Sequence, residues 1–303
     1  GQVIGVSERI GPIAMVKPRR PPYVAALDID RVVELQAAPA LHCLGTAQSL
    51  RSAQAGDELE MTVFWQATAV PSADYALAIS LVSSEGTSPL ASDLPLGRNE
   101  YPTSQWDAGE IVRSPHRLRI PAAAKEGSYT IEGVVVDRTG RAVGAPLQLG
   151  TLEIEPTERV FALPAGITHR PDAVLENLVS LAGYDLAQSE VGRGRELEVT
   201  LYWQALREMR TSYKTFLQLV GPDGVLAQID AVPADWQRPT TGWVAGEVIA
   251  DHYLLPIPED APAATYTLIA GLYEEATMVR LRVLDAEGRI LGDHVVLHEV
   301  VVR

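Results

Sequence analysis

The sequence predicts an all-β protein made of two tandem antiparallel β-sandwich domains of immunoglobulin-like type, and three observations carry that expectation. The first is a repeat. Leu59-Glu60-Met61-Thr62-Val63-Phe64-Trp65-Gln66-Ala67 returns as Leu197-Glu198-Val199-Thr200-Leu201-Tyr202-Trp203-Gln204-Ala205, an offset of 138 between Trp65 and Trp203. A second block, Pro102-Thr103-Ser104-Gln105-Trp106-Asp107-Ala108-Gly109-Glu110, returns as Pro239-Thr240-Thr241-Gly242-Trp243-Val244-Ala245-Gly246-Glu247, an offset of 137 between the tryptophans. The second observation is period-two alternation, which places Leu59, Met61, Val63, Trp65 and Ala67 on one face of a strand, with Leu197, Val199, Leu201, Trp203 and Ala205 as their counterparts. The third is a tyrosine opening a late strand in each half, in Gly127-Ser128-Tyr129 and Ala264-Thr265-Tyr266, as a tyrosine corner requires. At 303 residues the chain has room for two domains of the usual ~150 residues.

Residues 1–40 read as a lead-in segment. It holds two short apolar stretches, Val3 to Val6 and Ile13 to Val16, and a proline-bound basic cluster, Lys17-Pro18-Arg19-Arg20-Pro21-Pro22, that reads as a solvated linker. Val24 to Leu35 suits a short strand or a helical turn equally. The first repeat, 41–155, opens with a strand near Leu41 to Leu50 and continues with the marked strand. After Pro71-Ser72-Ala73-Asp74 comes a strand with Tyr75, Leu77, Ile79 and Leu81 in alternation, closed by Ser84-Glu85-Gly86. A short strand near Pro89 to Leu94, then Ile111 to Ile120, Tyr129 to Val136 and Leu147 to Ile154, bring the count to about seven, the number of a sandwich.

Residues 156–171 form a proline-containing linker, stiff but without a fixed angle. The second repeat, 172–303, begins with Asp172 to Asn177, whose pattern predicts one helical turn. Tyr213 to Val220, the turn Gly221-Pro222-Asp223-Gly224 and Val225 to Ile229 form a hairpin. Val248 to Ile257, Tyr266 to Tyr273, Met278 to Leu284 and Val295 to Val302 complete the set. The Met278 to Leu284 strand and its turn Asp285-Ala286-Glu287-Gly288 have no counterpart in the first repeat.

Composition excludes several functions. A formal net charge of −14 opposes binding to nucleic acid, which requires clustered Lys and Arg. No apolar run reaches the roughly 18 to 20 residues of a membrane helix, so no membrane insertion is expected of this segment. Cys43 is the only cysteine, which precludes an intrachain disulfide or a cysteine zinc site and reads as a small buried apolar residue. The start at Gly1, without Met or signal peptide, suggests a fragment or processed product.

No nucleophile elbow, phosphate loop or dinucleotide fingerprint is present, so no cofactor is predicted. His294 and His298 lie four apart in an apolar, strand-like stretch, about 13 Å along one face and too far for one metal ion. Asp251-His252 would point to opposite faces of a strand, and the equivalent Ser114 and Pro115 carry neither group. Asp223, Asp230, Asp235, Asp251 and Asp293 are scattered, with no calcium-loop spacing. No catalytic residue is assigned.

The candidate ligand-binding residues are aromatic and charged groups around the second block. Trp236-Gln237-Arg238-Pro239 stands where Asn99-Glu100-Tyr101-Pro102 stands in the first repeat. Flat aromatic faces beside amide, carboxylate and guanidinium groups can stack on a sugar ring and hydrogen-bond its hydroxyls. Trp236, Arg238, Trp243, Tyr101 and Trp106 form this set. The competing expectation is that Trp106 and Trp243 plug one end of each sandwich, while Trp236 and Tyr101 cap their loops.

The two blocks, with Tyr266-Thr267-Leu268-Ile269-Ala270-Gly271-Leu272-Tyr273 and Leu181-Ala182-Gly183-Tyr184-Asp185-Leu186, resemble a family of extracytoplasmic β-sandwich repeats. These follow the membrane spans of some bacterial dolichyl-phosphate-mannose-type glycosyltransferases and occur in related surface proteins. The resemblance is close over 172–303 and looser over 41–155, where Leu44-Gly45-Thr46 replaces Gly-Tyr-Asp and Val134-Val135-Val136-Asp137 replaces the Gly-Leu-Tyr strand. It implies an extracytoplasmic or cell-surface location and an accessory role, with no catalytic residue carried over. The expected function is a non-catalytic binding or spacer module of a larger cell-envelope protein, with a glycan or envelope component as partner. The alternatives are a carbohydrate-acting hydrolase with carboxylates in an inter-domain cleft and a structural adhesion or assembly protein.

Overall fold

A computed structural model describes residues 27–97 and 101–303. The two apolar stretches near the start, the basic cluster 17–22, and Asn99 and Glu100 lie outside the described residues. In chain order the strands of the first repeat are β1 (Arg31–Ala38), β2 (Leu41–Gln48), β3 (Ser52–Ala53), β4 (Glu58–Ala67), β5 (Ala76–Ser83), β6 (Gly86–Pro95), β7 (Ile111–Arg119), β8 (Gly127–Val136) and β9 (Leu147–Ile154). Those of the second are β10 (Ala173–Leu175), β11 (Val179–Leu186), β12 (Glu190–Val191), β13 (Glu196–Ala205), β14 (Tyr213–Gly221), β15 (Gly224–Ala231), β16 (Val248–Pro256), β17 (Ala264–Glu274), β18 (Val279–Arg280), β19 (Val283–Leu284), β20 (Ile290–Gly292) and β21 (Val295–Val302). A 3₁₀ turn follows β6 at Thr103–Gln105, and another follows β15 at Thr240–Gly242.

The first repeat packs sheet β1-β2-β4-β7 on sheet β3-β9-β8-β5-β6, and the second packs β16-β13-β11-β10-β19-β20 on β12-β21-β17-β14-β15. The chain follows the same path in both. β3 and β12 each leave the first sheet and pair in parallel with the last strand of the other, β9 and β21. All other pairings are antiparallel. Tyr129 donates its hydroxyl to Lys125 O at 3.0 Å and Tyr266 to Pro262 O at 3.0 Å, so both tyrosine corners are made.

Alternation builds the cores. Leu59, Met61, Val63, Trp65 and Ala67 are buried on β4 against Leu77, Ile79 and Leu81 of β5 and Ile131 and Val135 of β8. The second core sets Leu197, Val199, Leu201, Trp203 and Ala205 against Leu217, Leu219, Leu268, Ala270 and Leu272. Each buried Leu or Val contributes about 1.5–3 kcal/mol of transfer free energy, so either sandwich has its own driving force for folding. Cys43 is buried in the first core, which pushes its thiol up to about 12.

Three local expectations are resolved or corrected. Val24 to Leu35 contributes a strand, because Arg31–Ala38 pairs with β2 as β1. The segment Asp172 to Asn177 is not a helical turn: Val174 pairs with Ser180 on one side and Leu284 on the other, filling the place of β1. Glu176 and Asn177 then take φ of 45° and 55°, a tight left-handed turn that no helix continues. Met278 to Leu284 is not one strand. β18 pairs with β17 in one sheet and β19 with β10 in the other, while Leu281 passes between them, buried in the core.

The two sandwiches meet backbone to backbone. A Cβ on Gly56 would fall on Gly242 Cα, and one on Gly242 would sit 2.6 Å from Ala55 O, so only glycine fits on either side. Thr241 Oγ1 donates to Gly56 O at 3.1 Å across this contact. The linker joins it through Arg159, which donates to Ala122 O at 2.7 Å in the first sandwich and to Gly242 O at 3.0 Å in the second.

Candidate functional site

The block P-T-x-x-W-x-A-G-E lies at one end of each sandwich, and its shared residues build the loop itself. Thr103 Oγ1 accepts from Tyr75 N at 3.0 Å and donates to Ala73 O at 2.8 Å; Thr240 Oγ1 accepts from Tyr213 N at 2.9 Å and donates to Thr211 O at 3.0 Å. One hydroxyl thus ties the block to the start of the neighbouring strand. Gly109 N donates to Ala67 O and Gly246 N to Ala205 O, fastening the other end to β4 and β13.

Trp106 and Trp243 are wholly enclosed and belong to the two cores. Their indole N–H groups donate to Tyr101 O at 3.2 Å and Arg238 O at 3.0 Å. Neither ring offers a face to a sugar, which corrects their placement among the ligand-binding candidates. Apolar burial with a satisfied N–H makes them plugs.

Tyr101 and Arg238 occupy equivalent positions and hold the glutamate of the motif. Tyr101 Oη lies 2.9 Å from both carboxylate oxygens of Glu110, and Asp107 N donates to Oε2 at 2.8 Å. In the second repeat Glu247 is fully buried. It accepts from Val244 N at 3.0 Å, from Arg159 Nη1 at 2.6 Å and from Arg238 Nη2. Arg238 also donates to Glu158 O at 3.1 Å. Its guanidinium is therefore committed to neutralising a buried carboxylate and clamping the linker, which corrects its reading as a ligand-facing group.

Trp236 differs from the other four, being 58% exposed. It ends three consecutive left-handed residues, Ala234, Asp235 and Trp236, with φ of 54°, 54° and 67°. Each costs roughly 1–2 kcal/mol for a residue with a Cβ, so the turn persists only if its surroundings hold it. They do: Trp236 N donates to Val232 O and Arg238 N to Pro233 O, both at 3.0 Å, and Ala234 N donates to Asp251 Oδ1 at 2.8 Å. Lys214 Nζ stands 4.8 Å from the centroid of the Trp236 ring, within cation–π range.

Asp251 is a buried carboxylate with its acceptor capacity in use. Besides Ala234 N, its Oδ2 receives Trp203 Nε1 at 3.2 Å, Thr215 Oγ1 at 2.9 Å and Tyr253 Oη at 2.7 Å. Burial pushes its carboxyl above the usual carboxylate range, against the pull of these four donors. The first repeat lacks this anchor. Ser114 replaces Asp251 and His116 replaces Tyr253, and Trp65 Nε1 is a buried donor without a partner. Ser114 Oγ donates to Pro95 O at 3.1 Å and lies 2.9 Å from His116 Nε2. With Ser114 fully enclosed, this serine and histidine form a core bond with no approach for a substrate. The sequence signal for the anchor is the change from Ser114 to Asp251 between otherwise matched strands.

Asp251 and His252 do face opposite sides: one is enclosed and the other exposed. No group of three or more metal-ligating side chains occurs among the described residues. A groove of about 430 Å³ between the sandwiches is lined by Arg119 from the first repeat and by Arg210, Thr211, Ser212, Glu274, Glu275 and Ala276 from the second. Its two carboxylates are chain neighbours. Glu275 is paired with Lys214, and Glu274 accepts from Thr277 Oγ1 at 2.7 Å.

No helix among the described residues is long and apolar enough to cross a membrane. No protein-family model and no curated protein matches the chain. Among solved structures it is similar, over 90% of its length, to the crystal structure of red sea bream transglutaminase, at 9% sequence identity and a TM-score of 0.25. The chain spans 32% of that protein's length.

Proposed function

We propose that the chain is a non-catalytic binding and spacer module of a larger cell-envelope protein, working outside the cytoplasm, with carbohydrate as its ligand class. The observation that carries this reading is the treatment of Trp236. A large aromatic ring is held in solvent on a strained turn, and a buried carboxylate absent from the first repeat anchors that turn. Exposed indole surface on a rigid support is what stacking on a sugar ring requires. The spacer role is supported by the glycine contact and the Arg159 bridge, which hold the two sandwiches together. The hydrolase alternative needs two opposed carboxyl groups about 5 to 10 Å apart, and the carboxylates lining the groove between the sandwiches are chain neighbours, Glu275 paired with Lys214 and Glu274 bonded by the Thr277 hydroxyl.

The test is an array of neutral oligosaccharides probed with the wild-type chain and with Trp236→Ala. Retention of a glycan by the wild type and a loss of about tenfold or more in the variant is the expected result, since one stacked aromatic contributes on the order of 1–2 kcal/mol. Equal retention by both proteins removes Trp236 from the site.

A further inference from the structure

Strands β14, β15, β17 and β18 present an outer face that the second repeat does not share with the first. Register sets three rows across it. Lys214 pairs with Tyr273, which pairs with Arg280; Asp230 pairs with Phe216, which pairs with Gly271; Gln228 pairs with Gln218, which pairs with Ile269. At the equivalent places the first repeat has Ala76 for Lys214, Ala78 for Phe216, Ser80 for Gln218, Val134 for Gly271 and Val136 for Tyr273. Small and aliphatic positions have been replaced by aromatic, amide and charged groups, while Glu132 of the first repeat gives way to Ile269.

The replacement is mutually fitted. A Cβ at Gly271 would lie 2.5 Å from Phe216 Cζ, so the ring lies across β17 only because residue 271 is glycine. Arg280 Cζ sits 4.1 Å from the centroid of the Phe216 ring, and Arg280 Nη2 donates to Gln218 Oε1 at 3.1 Å. Gln218 Nε2 donates to Gln228 Oε1 at 3.2 Å. Phe216, Ile269 and Tyr273 form a small apolar cluster separate from the sandwich core. Between these groups is a hollow of about 220 Å³, lined by Phe216, Gln218, Gln228, Asp230, Tyr273, Met278 and Arg280.

We infer that this hollow is a binding subsite for one neutral hexose-type sugar unit. The inference rests on the carbohydrate-binding reading and deepens it by naming where the hydroxyls are held. The Phe216 ring is itself covered, by β17 at Gly271 and by Arg280, so the apolar contact falls to the exposed Met278, and the amide, carboxylate and guanidinium around it suit a unit that is apolar on its face and hydroxylated at its edge. Asp230 supplies acceptors and Gln228, whose Oε1 already receives Gln218 Nε2, supplies its amide N–H groups, while Arg280, bonded to Gln218 and 3.8 Å from Asp293, walls the hollow with its remaining N–H groups. Lys214 links the hollow to the exposed platform, because it lies beside Tyr273 on this face and reaches over Trp236. One sugar unit stacks on Trp236 while its neighbour enters the hollow.

The experiment measures calorimetric affinity for the best-retained oligosaccharide from the neutral-glycan array, using wild type, Trp236→Ala, Asp230→Ala and Gln228→Ala. Near-UV circular dichroism confirms that each variant is folded. Asp230 and Gln228 are surface groups of β15 outside both cores, so their replacement leaves the fold standing. A loss of about tenfold or more in both β15 variants supports the subsite. A wild type that binds, with Trp236→Ala impaired and both β15 variants unchanged, overturns the subsite and leaves the carbohydrate reading standing. A wild type that retains no glycan overturns both.

Discussion

His116 shows how one residue sets a property of its domain. Enclosure in the first sandwich depresses its imidazole from 6.5 to about 4, with burial as the cause. The unfolded chain takes up a proton near 6.5 that the folded chain refuses until about 4. Stability is therefore complete above about pH 6.5, falls through the window down to about pH 4, and loses nothing more from this group below it. The loss amounts to at most about 3 kcal/mol. Urea unfolding at pH 7.5 and 4.5 should give a lower midpoint at the acid pH, and His116→Gln, which keeps a hydrogen bond to Ser114 but cannot take a charge, should shrink the difference. An undiminished difference in that variant would mean that other groups set it. Asp74, Asp137, Asp185, Asp285 and Asp293, all held below the usual carboxylate value, act in a lower window.

At the scale of the element, the P-T-x-x-W-x-A-G-E block is a loop with its own closure. Threonine ties it to the start of the neighbouring strand in the same sandwich, tryptophan plugs the core, glycine fastens it to β4 or β13, and glutamate collects the orphan N–H of Asp107 or Val244. Replacing Thr240 by Val keeps the volume but leaves Tyr213 N–H and Thr211 O without their partner. The expected cost is about 1–3 kcal/mol, read as a lowered urea midpoint, with Thr103→Val giving a similar cost in the first repeat. A change below about 0.5 kcal/mol would show that water replaces the hydroxyl at no cost. The second repeat uses the same loop differently, because Arg238 in place of Tyr101 lets Glu247 recruit the linker through Arg159.

For the whole molecule the decisive contact is between Gly56 and Gly242. Inter-domain interfaces within a chain are ordinarily small and permissive, but here two backbones touch, and a buried ion group of Arg159, Glu247 and Arg238 lies beside them. Gly56→Ala places a methyl on Gly242 and also strains a residue with φ of +95°, at a local cost of about 1 kcal/mol. The cores lie away from the substitution and should survive it. Small-angle X-ray scattering should then show a larger maximum dimension and a broader distribution of interdomain distances than in the wild type. Identical scattering curves would mean that Arg159 and the linker alone hold the arrangement.

Two β-sandwich repeats are legible in the residues alone, because a period of two residues and a repeated block are local patterns that survive without knowledge of their surroundings. The alternation around Trp65 and Trp203 correctly put both rings inside, and both tyrosine corners were legible from their place at the start of a late strand. The candidate site was legible only at Trp236. Sequence cannot say whether an aromatic in a loop turns inward, and Trp106 and Trp243 do so because their N–H groups find carbonyls at the end of each core. Nor can it pair Asp251 with Ala234, or Glu247 with Arg159, since those bonds join segments that only strand register brings together. The outer-face hollow was hidden for the same reason. Phe216 and Gly271 stand 55 positions apart, and their fit exists only once β14 lies beside β17. Short-range periodicity therefore settled the class of fold, while long-range register decided which side chains were enclosed and which stayed at the surface.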